Sequence, residues 1–413
     1  MTTATCLGCV RCGRTHPLSE RYRCPACSGI LDVRYDMEAA RRAGAAAEVT
    51  ADGAGMWGVR TLLPIAASVA PVSLGEGGTP LVSAPRLAAR LGVGELLLKL
   101  ESANPTGSFK DRPVSVALTK AREVGVGGVV TASSGNAGAA VSAYAARAGL
   151  PAVVLVSEGL VKAKLAQIAM YGATLVAVRG HFSAAYALAA ELARHTGWYN
   201  VTTTCLSAFP TEGNKTVAYE LLRQCGGAVP DWITVPVGSG PLLVGTLKGF
   251  DELRALGLAD RTPRMVAVQA EGCAPVARAF AAGADEVEAW GTPDTVASGI
   301  RDPLQGYADD GTLTLAAVRR SGGAAVAVSD ARILEATRDL ARDEGILAEP
   351  TGAVSVAGIA ELRRRGVIEA GARVVALVTG HGLKDPAVLA TLVPEPPVVE
   401  PRLDALLAVT DAQ

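Results

Sequence analysis

The pattern that most constrains this chain is an alternation of short apolar runs with longer alanine-rich stretches. From residue 95 onward the apolar runs are ELLLKL, GGVVTA, AVVLVS, ATLVAV, WITVPV, MVAVQA, AAVAVS and VVALVT. Runs of this length, separated by helical stretches, are typical of parallel sheets that are covered by helices on both faces. The sequence therefore predicts an α/β fold with two lobes and parallel-rich sheets.

Three segments are expected along the chain. Residues 1–36 are cysteine-rich and polar, and we predict a small ribbon-like appendage there. Residues 37–393 form the predicted main body, with a smaller lobe at roughly 105–195 inserted in a larger one. Residues 394–413 begin with PEPPVVEP, which is typical of an exposed terminal tail.

The nearly zero net charge of the chain argues against nucleic acid and anionic lipid as partners. The chain has 39 Lys and Arg against 40 Asp and Glu, a formal net charge of -1, which provides no long-range attraction for nucleic acid or anionic lipid. The longest apolar reach, Val124 to Val156, is interrupted by polar residues and Pro151, so no membrane span is expected. The first residues lack the pattern of a secretory signal. Small-molecule chemistry in the cytoplasm is the resulting expectation.

Chemistry in such a fold is expected in the loops that follow the strands, because helix N-termini and loop side chains converge there. The four loops that stand out are ESANPTGSFKDR, TASSGNAGAA, PVGSGPLLVG and VTGHGLKDP.

Lys110 is the candidate nucleophile of the first loop. It lies in PTGSFKDR, just before a predicted helix, where a constrained and partly desolvated amine has a lowered pKa and can form a Schiff base with an aldehyde cofactor. The alternative is a solvated lysine at a helix start, and this loop alone favours that alternative.

The other loops offer binding groups with equally ordinary alternatives. Ser133 to Gly138, SSGNAG, could bind a carboxylate or a phenolic oxygen at a helix N-terminus, or simply cap that helix. The glycine-serine turn Gly238, Ser239 and Gly240 could hold a phosphate, although tight turns use glycine anyway. Thr379 could face a ring nitrogen or cap a helix.

Four cysteines form two pairs, Cys9-x2-Cys12 and Cys24-x2-Cys27. Each pair can place two thiolates on one tetrahedral zinc ion, so the spacing indicates a structural zinc site. The alternative is a metal-free ribbon that packs on the main body. Neither interpretation gives this segment a role in catalysis.

Taken together, ANPTGSFKDR, TASSGNAGAAVSAYAARAG, EGNKTVAYEL, GILAEPTGAVSVAG and LVTGHGLKDP resemble the threonine synthase family, from near Cys9 to about Pro386. That family belongs to the tryptophan synthase β-like enzymes, which use pyridoxal 5′-phosphate on the fold called type II. The resemblance implies an α/β lyase of amino-acid biosynthesis that forms threonine and phosphate from O-phosphohomoserine. It also implies a homodimer.

The resemblance assigns a role to each candidate residue. Lys110 would carry the cofactor and act as general acid and base, Asn136 would meet the phenolic oxygen, and Thr379 would meet the pyridine nitrogen. The cofactor phosphate and the substrate would be held by the remaining residues: Gly238, Ser239 and Gly240 for the phosphate, and Ser133, Ser134 and Lys215 for the substrate.

Departures from the family pattern fall on the substrate side. The family usually carries an Asn and an Arg before EGxKT for the substrate phosphate, whereas Ser207 and Pro210 lie near those places here. Three alternatives therefore stay open: β-replacement of the cysteate synthase or diaminopropionate synthase type, serine or threonine dehydration, and a zinc-bearing scaffold without catalysis.

Overall fold

A computed structural model describes residues 1–19, 22–51, 53, 55–158, 162–179, 182–202 and 204–410. Two residues of the predicted appendage, 20 and 21, and the last three of the predicted tail lie outside this range. The strands are β1 Ala4–Cys9, β2 Thr15–His16, β3 Leu31–Tyr35, β4 Leu81–Ser83, β5 Glu95–Lys99, β6 Val129–Ala132, β7 Ala152–Ser157, β8 Thr174–Val178, β9 Tyr199–Asn200, β10 Trp232–Pro236, β11 Arg264–Ala270, β12 Ala324–Val328 and β13 Arg373–Leu377.

The α-helices are α1 Met37–Arg42, α2 Ala45–Thr50, α3 Pro85–Leu91, α4 Asp111–Val124, α5 Asn136–Ala148, α6 Lys162–Met170, α7 Phe182–Thr196, α8 Ala208–Asn214, α9 Thr216–Gln224, α10 Pro241–Ala255, α11 Pro275–Ala281, α12 Ala308–Arg320, α13 Asp330–Glu344, α14 Pro350–Arg364, α15 Pro386–Ala390 and α16 Leu403–Thr410. Short 3-10 helices span Met56–Gly58, Arg60–Leu62, Glu101–Ala103, Ser298–Ile300 and Gly382–Lys384.

The larger lobe is built on a six-stranded sheet in the order β12-β11-β10-β13-β5-β4. All neighbours in it are parallel except the edge pair β4 and β5. All five residues of β10 are buried, as expected for a central strand that is covered on both faces. One face packs on a core that includes Phe250, and the other on a core that includes Ile359.

The smaller lobe is built on a four-stranded parallel sheet in the order β8-β7-β6-β9. Its central strand β6 is fully buried, with α5 packed over the sheet on one side and α7 on the other. In both sheets the strands come from the apolar runs and the covering helices from the alanine-rich stretches between them. The predicted α/β fold with two parallel-rich lobes is confirmed.

The cysteine-rich start of the chain folds as a three-stranded antiparallel sheet in the order β2-β1-β3. Its buried face, with Leu7, Leu31 and Val33, shares a hydrophobic cluster with Val116 of α4 and Phe209 of α8. We call residues 1–36 the ribbon. Within the described part of the chain, no helix has both the length and the apolar character that a bilayer crossing requires.

Candidate active site

Lys110 lies at the carboxyl edge of the larger sheet, immediately before α4. Two main-chain hydrogen bonds join its loop to the segment that follows β13. The Phe109 amide donates to the Thr379 carbonyl (3.0 Å) and the His381 amide donates to the Gly107 carbonyl (2.9 Å), which makes Ser108 and Gly380 an antiparallel β-bridge. Two of the four predicted loops therefore lie side by side.

The electrostatics of Lys110 suit a nucleophile. Burial of its ammonium among protein atoms lowers its pKa to about 8, and the negative charge of Asp302 opposes that shift. Asp302 is half-buried, and the loss of solvent around its carboxylate raises its pKa; the carboxylate accepts hydrogen bonds from the Tyr307 hydroxyl (2.6 Å) and the Leu304 amide (3.1 Å). An amine of this kind is neutral far more often near neutral pH than an ordinary lysine.

Two buried hydroxyls beside Lys110 have no hydrogen-bond partner within the described residues. They are Oγ1 of Thr379 and Oγ of Ser108. A buried hydroxyl without a partner costs about 1–3 kcal/mol, so such atoms point to a ligand or an ordered water. The Thr379 hydroxyl has the chemistry of the ring-nitrogen contact that the family resemblance implies.

Asn136 begins α5 in the smaller lobe and reaches across to the larger one. Its Nδ2 donates to Oε1 of Glu349 (2.8 Å), which is buried at the start of α14. The same Glu349 carboxylate lies against Gly380, where an added Cβ would come within 2.3 Å of it. Asn136 is thereby placed next to the segment that carries Thr379.

The turn of Gly238, Ser239 and Gly240 follows β10 and leads into α10. Gly240 has φ +102°, a left-handed conformation that favours glycine. A Cβ on Gly238 would lie 3.2 Å from Cβ of Asp302, which places this turn beside the carboxylate that acts on Lys110. The main-chain amides at the start of α10 are suited to a phosphate.

Ser133 and Ser134 lie between β6 and α5, just before Asn136. Both are partly exposed, and the Ser133 amide donates to the carbonyl of Leu155 (3.0 Å) on the neighbouring strand. The main chain of Ser133 is therefore fixed to the sheet, while the side chains of both serines stay partly accessible.

These residues fit pyridoxal phosphate. The cleft combines a lysine of lowered pKa, a Thr379 hydroxyl to which no described residue bonds, an amide donor at Asn136 and a glycine turn at a helix N-terminus. They come from four separate strand-end loops, which the fold brings to one place.

Comparison with known proteins decides the family. Residues 72–380 match the family described as pyridoxal-phosphate dependent enzyme. A threonine synthase of Methanosarcina acetivorans is 40% identical over 402 residues, 97% of each chain, and one of Synechocystis is 41% identical over 330 residues, 79% of this chain and 82% of the relative. The chain belongs to the pyridoxal-phosphate dependent enzymes, in the threonine synthase family.

Solved structures agree on the fold. Maize serine racemase superposes with a TM-score of 0.66 at 24% identity, covering 76% of this chain and 91% of the racemase. A fungal L-serine ammonia-lyase from Rhizomucor miehei superposes with a TM-score of 0.65 at 25% identity, covering 76% of this chain and 96% of the ammonia-lyase. Membership of the family confirms the predicted resemblance, the cofactor and the class of enzyme, a pyridoxal-phosphate dependent lyase.

Lys215, a predicted substrate-binding residue, lies apart from the other predicted site residues. Its ammonium is fully buried, 2.7 Å from Glu212, 2.9 Å from Glu252 and 3.8 Å from the centre of the Tyr35 ring. The two carboxylates enclose the charge, and Glu212 also accepts a hydrogen bond from the Tyr35 hydroxyl of the ribbon (2.8 Å). Because no face of this ammonium is open to the cleft, Lys215 supports the packing there and lies outside the proposed site.

The four predicted metal ligands lie together in the ribbon. The Sγ atoms of Cys9, Cys12, Cys24 and Cys27 are all within 4.8 Å of one another, and Cys9–Cys27 and Cys12–Cys24 are separated by 3.5 and 3.7 Å. Four thiolates at about 2.3 Å from one tetrahedral zinc ion would be about 3.8 Å apart, so this set fits zinc.

Sequence reasoning missed two carboxylates of the site, Asp302 and Glu349. Asp302 lies in a segment without a preceding strand, between Ser298–Ile300 and α12, so a search of strand-end loops does not reach it. Glu349 lies in the motif GILAEPTGAVSVAG. Its position before a proline at a helix start marks it as an N-cap residue, but only the fold shows that it faces Asn136.

Proposed function

We propose that this chain converts O-phosphohomoserine and water to threonine and phosphate, with pyridoxal 5′-phosphate attached to Lys110. The observation that carries the proposal is that Lys110, with its lowered pKa, lies in a loop hydrogen-bonded to Thr379, whose buried hydroxyl finds no partner among the described residues. The threonine synthases that match nearly the whole chain support the choice of reaction.

Besides Lys110, three groups would hold the cofactor. Asn136 Nδ2 would donate to the phenolic oxygen, the Thr379 hydroxyl would meet the ring nitrogen, and the amides after Gly238, through Ser239 and Gly240, would bind the phosphate. A neutral hydroxyl at the ring nitrogen favours elimination and replacement over transamination. Bound pyridoxal phosphate supplies the electron sink for the bonds at the substrate α-carbon.

Lys110 would move the protons. Once its Nζ is free, the neutral amine would take a proton from the α-carbon and then one from the β-carbon, and the same mobile group would return protons at the γ-carbon and finally at the α-carbon. The phosphate leaves, and water adds at the β-carbon. The charge of Asp302 would keep enough proton affinity on Nζ for it to act as an acid as well as a base.

Ser133 and Ser134 would bind the substrate carboxylate with the amides of their loop. The positions where the family usually has an Asn and an Arg offer no cation here. Ser207 is buried and its hydroxyl is 2.9 Å from that of Tyr199, and Pro210 is buried within α8. This observation favours one alternative, a β-replacement on phosphoserine or O-acetylserine, whose shorter side chains need no distant phosphate contact.

A substrate panel tests the proposal. Holoenzyme and the Lys110→Ala variant are each given O-phosphohomoserine, phosphoserine, O-acetylserine, serine and threonine, and phosphate, threonine and keto acid are measured. We expect phosphate and threonine from O-phosphohomoserine only with the wild type, and a loss of roughly 10³-fold or more in Lys110→Ala. Turnover of phosphoserine or O-acetylserine without threonine formation would transfer the assignment to β-replacement.

We also propose a structural zinc ion at Cys9, Cys12, Cys24 and Cys27, supported by their mutual distances. Metal analysis of the purified protein should give about one zinc per chain, and the Cys12→Ser variant should lose it while Cys225→Ser, at a cysteine of the larger lobe, keeps it. Wild-type protein without zinc would contradict this. A homodimer and a cytoplasmic location stay predictions.

A further inference from the structure

Three consecutive residues of the ribbon contact three different parts of the molecule. Tyr22 packs on the core of the smaller lobe, Arg23 pairs with the larger lobe, and Cys24 belongs to the cysteine cluster. Nothing in the chemistry of the cleft requires the ribbon, so this arrangement asks for a separate explanation.

Tyr22 reaches the smaller sheet beside the substrate loop. Its hydroxyl accepts a hydrogen bond from the amide of Asn200 in β9 (2.9 Å), and its ring lies 6.0 Å from that of Tyr199. Asn200 in turn accepts a hydrogen bond from the hydroxyl of Thr202 (2.7 Å), which accepts one from the amide of Ala132 (3.3 Å). Ala132 is the residue before Ser133.

Arg23 reaches the first turn of α12. Its guanidinium is 2.5 Å from Asp309 and 3.5 Å from Asp310, and the Asp310 side chain is fully buried. The second carboxylate oxygen of Asp310 accepts a hydrogen bond from the amide of Cys205 (2.7 Å). The close pair with the partly exposed Asp309 and the longer contact with the buried Asp310 together tie the start of this helix to Arg23.

The helix α12 contacts the cofactor cleft at two places. The Thr314 hydroxyl donates to the carbonyl of Ser239 (2.7 Å), in the turn proposed for the phosphate. Tyr307, the N-cap residue of α12, donates to Asp302, and its ring stacks on Tyr186 of the smaller lobe at 5.1 Å. A shift of the start of α12 would therefore move groups on the cofactor side of the cleft.

We propose that Tyr22 and Arg23 are positioning residues that brace the two lobes from the ribbon, Tyr22 holding the substrate loop and Arg23 holding the phosphate turn. The cysteine cluster anchors both, because the adjacent Cys24 lies within 3.7 Å of Cys12 and 3.4 Å of His16. The ribbon thus has a function in the order of the active site, although it supplies no group to it. The inference about Ser133 rests on the proposed substrate, and the inference about Arg23 rests only on the turn proposed there for the cofactor phosphate.

The role of Arg23 at the phosphate turn, the cofactor arm of the proposal, is tested separately from the role of Tyr22 at the substrate loop, the substrate arm. Cofactor-free Arg23→Ala is titrated with pyridoxal phosphate alone, followed by visible absorbance, and compared with Arg34→Ala, whose guanidinium pairs with Asp32 inside the ribbon (3.6 Å). We expect Arg23→Ala to bind the cofactor about 5-fold or more weakly, within the usual range of coupling between distant sites. Arg34→Ala should bind like the wild type. Equal affinity in all three folded proteins, or equal losses in both variants, would overturn the proposal.

Two milder variants keep the test decisive if Arg23→Ala does not fold. Arg23→Lys, which can reach only one of the two carboxylates, should have intermediate affinity. Tyr22→Phe should raise KM for O-phosphohomoserine, about 2-fold or more as for one lost hydrogen bond, with cofactor affinity unchanged. Tyr22→Phe with an unchanged KM would refute the substrate arm. Wild-type protein that binds the cofactor but turns over no O-phosphohomoserine would refute the proposed function, and the Arg23 titration would still decide the cofactor arm.

Discussion

Lys110 and Arg112 are two positions apart in the chain, but the buried polar groups around them differ. Those around Arg112 are paired with one another, whereas two hydroxyls near Lys110 have no partner within the described residues. Below the Lys110 loop, Arg112 pairs with Glu101 (2.7 Å) and Glu220 (2.6 Å), and Glu220 also pairs with Lys99 (2.6 Å). We call these four residues the ion network. All four side chains are almost completely excluded from solvent, and two positive charges balance two negative ones.

The cofactor cleft leaves polar groups without partners. The hydroxyls of Thr379 and Ser108 are as deeply buried as the ion network, yet neither makes a hydrogen bond within the described residues. A fully paired buried network stabilises one arrangement of the chain, whereas an unpaired buried group costs stability until a ligand meets it. The comparison therefore distinguishes the ion network, which stabilises the chain next to the Lys110 loop, from Thr379 and Ser108, whose hydroxyls we expect to gain a partner when the cofactor binds.

The largest effect is expected in the ion network. Arg112→Ala leaves Glu101 and Glu220 buried without their main counter-charge, which typically costs about 3–5 kcal/mol. Urea unfolding should therefore show a much lower midpoint. Arg364→Ala, which removes an exposed pair with Glu361, should leave the midpoint nearly unchanged. Equal midpoints for the two variants would break the comparison.

A smaller effect of opposite character is expected at Thr379. Thr379→Val removes an unpartnered hydroxyl, so the cofactor-free protein should be as stable as the wild type or slightly more stable. Its affinity for pyridoxal phosphate should fall by about 2- to 10-fold, the worth of one hydrogen bond.

Thr337→Val is the matched control for that change. Its hydroxyl donates to the carbonyl of Ile333 (2.8 Å) within α13, remote from the cleft. This variant should lose some stability and keep its cofactor affinity. A stability loss in Thr379→Val as large as in Thr337→Val would show that the Thr379 hydroxyl already has a partner in the cofactor-free protein.

The smallest effect concerns pH. Only the neutral amine of Lys110 attacks the cofactor aldehyde, so the attachment rate of the cofactor-free protein should rise with pH through a midpoint near 8. The carboxylate of Asp302 stabilises the ammonium and raises that pKa, so Asp302→Asn should move the midpoint to lower pH. Asp285→Asn, at an exposed carboxylate, should leave it in place. A midpoint that rises in Asp302→Asn would show that Asp302 acts by something other than its charge.

The sequence predicts the residues of the cleft better than it predicts the charged residues that surround them. Lys110, Asn136 and Thr379 lie at strand ends or helix starts, and parallel sheets bring such positions together whatever the details of packing. Asp302 does not follow a strand, so this rule does not predict its position near Lys110. Hydrogen bonds from Tyr307 and Leu304 hold its carboxylate instead.

The charged core shows the same limit. Lys215 in EGNKT and Lys110 in GSFKDR are both lysines in strong motifs, and only the fold shows that carboxylates enclose one of them while the other faces the cleft. Pairing between residues more than a hundred positions apart, such as Arg112 with Glu220, leaves no local pattern in the chain.

The central claim is that Lys110, and no other buried lysine, bonds to the cofactor. Holoenzyme reduced with borohydride and digested with protease should yield one phosphopyridoxyl peptide, and mass spectrometry should place the label on Lys110. A label on Lys99 or Lys215, or a protein that retains no label after reduction, would contradict the account.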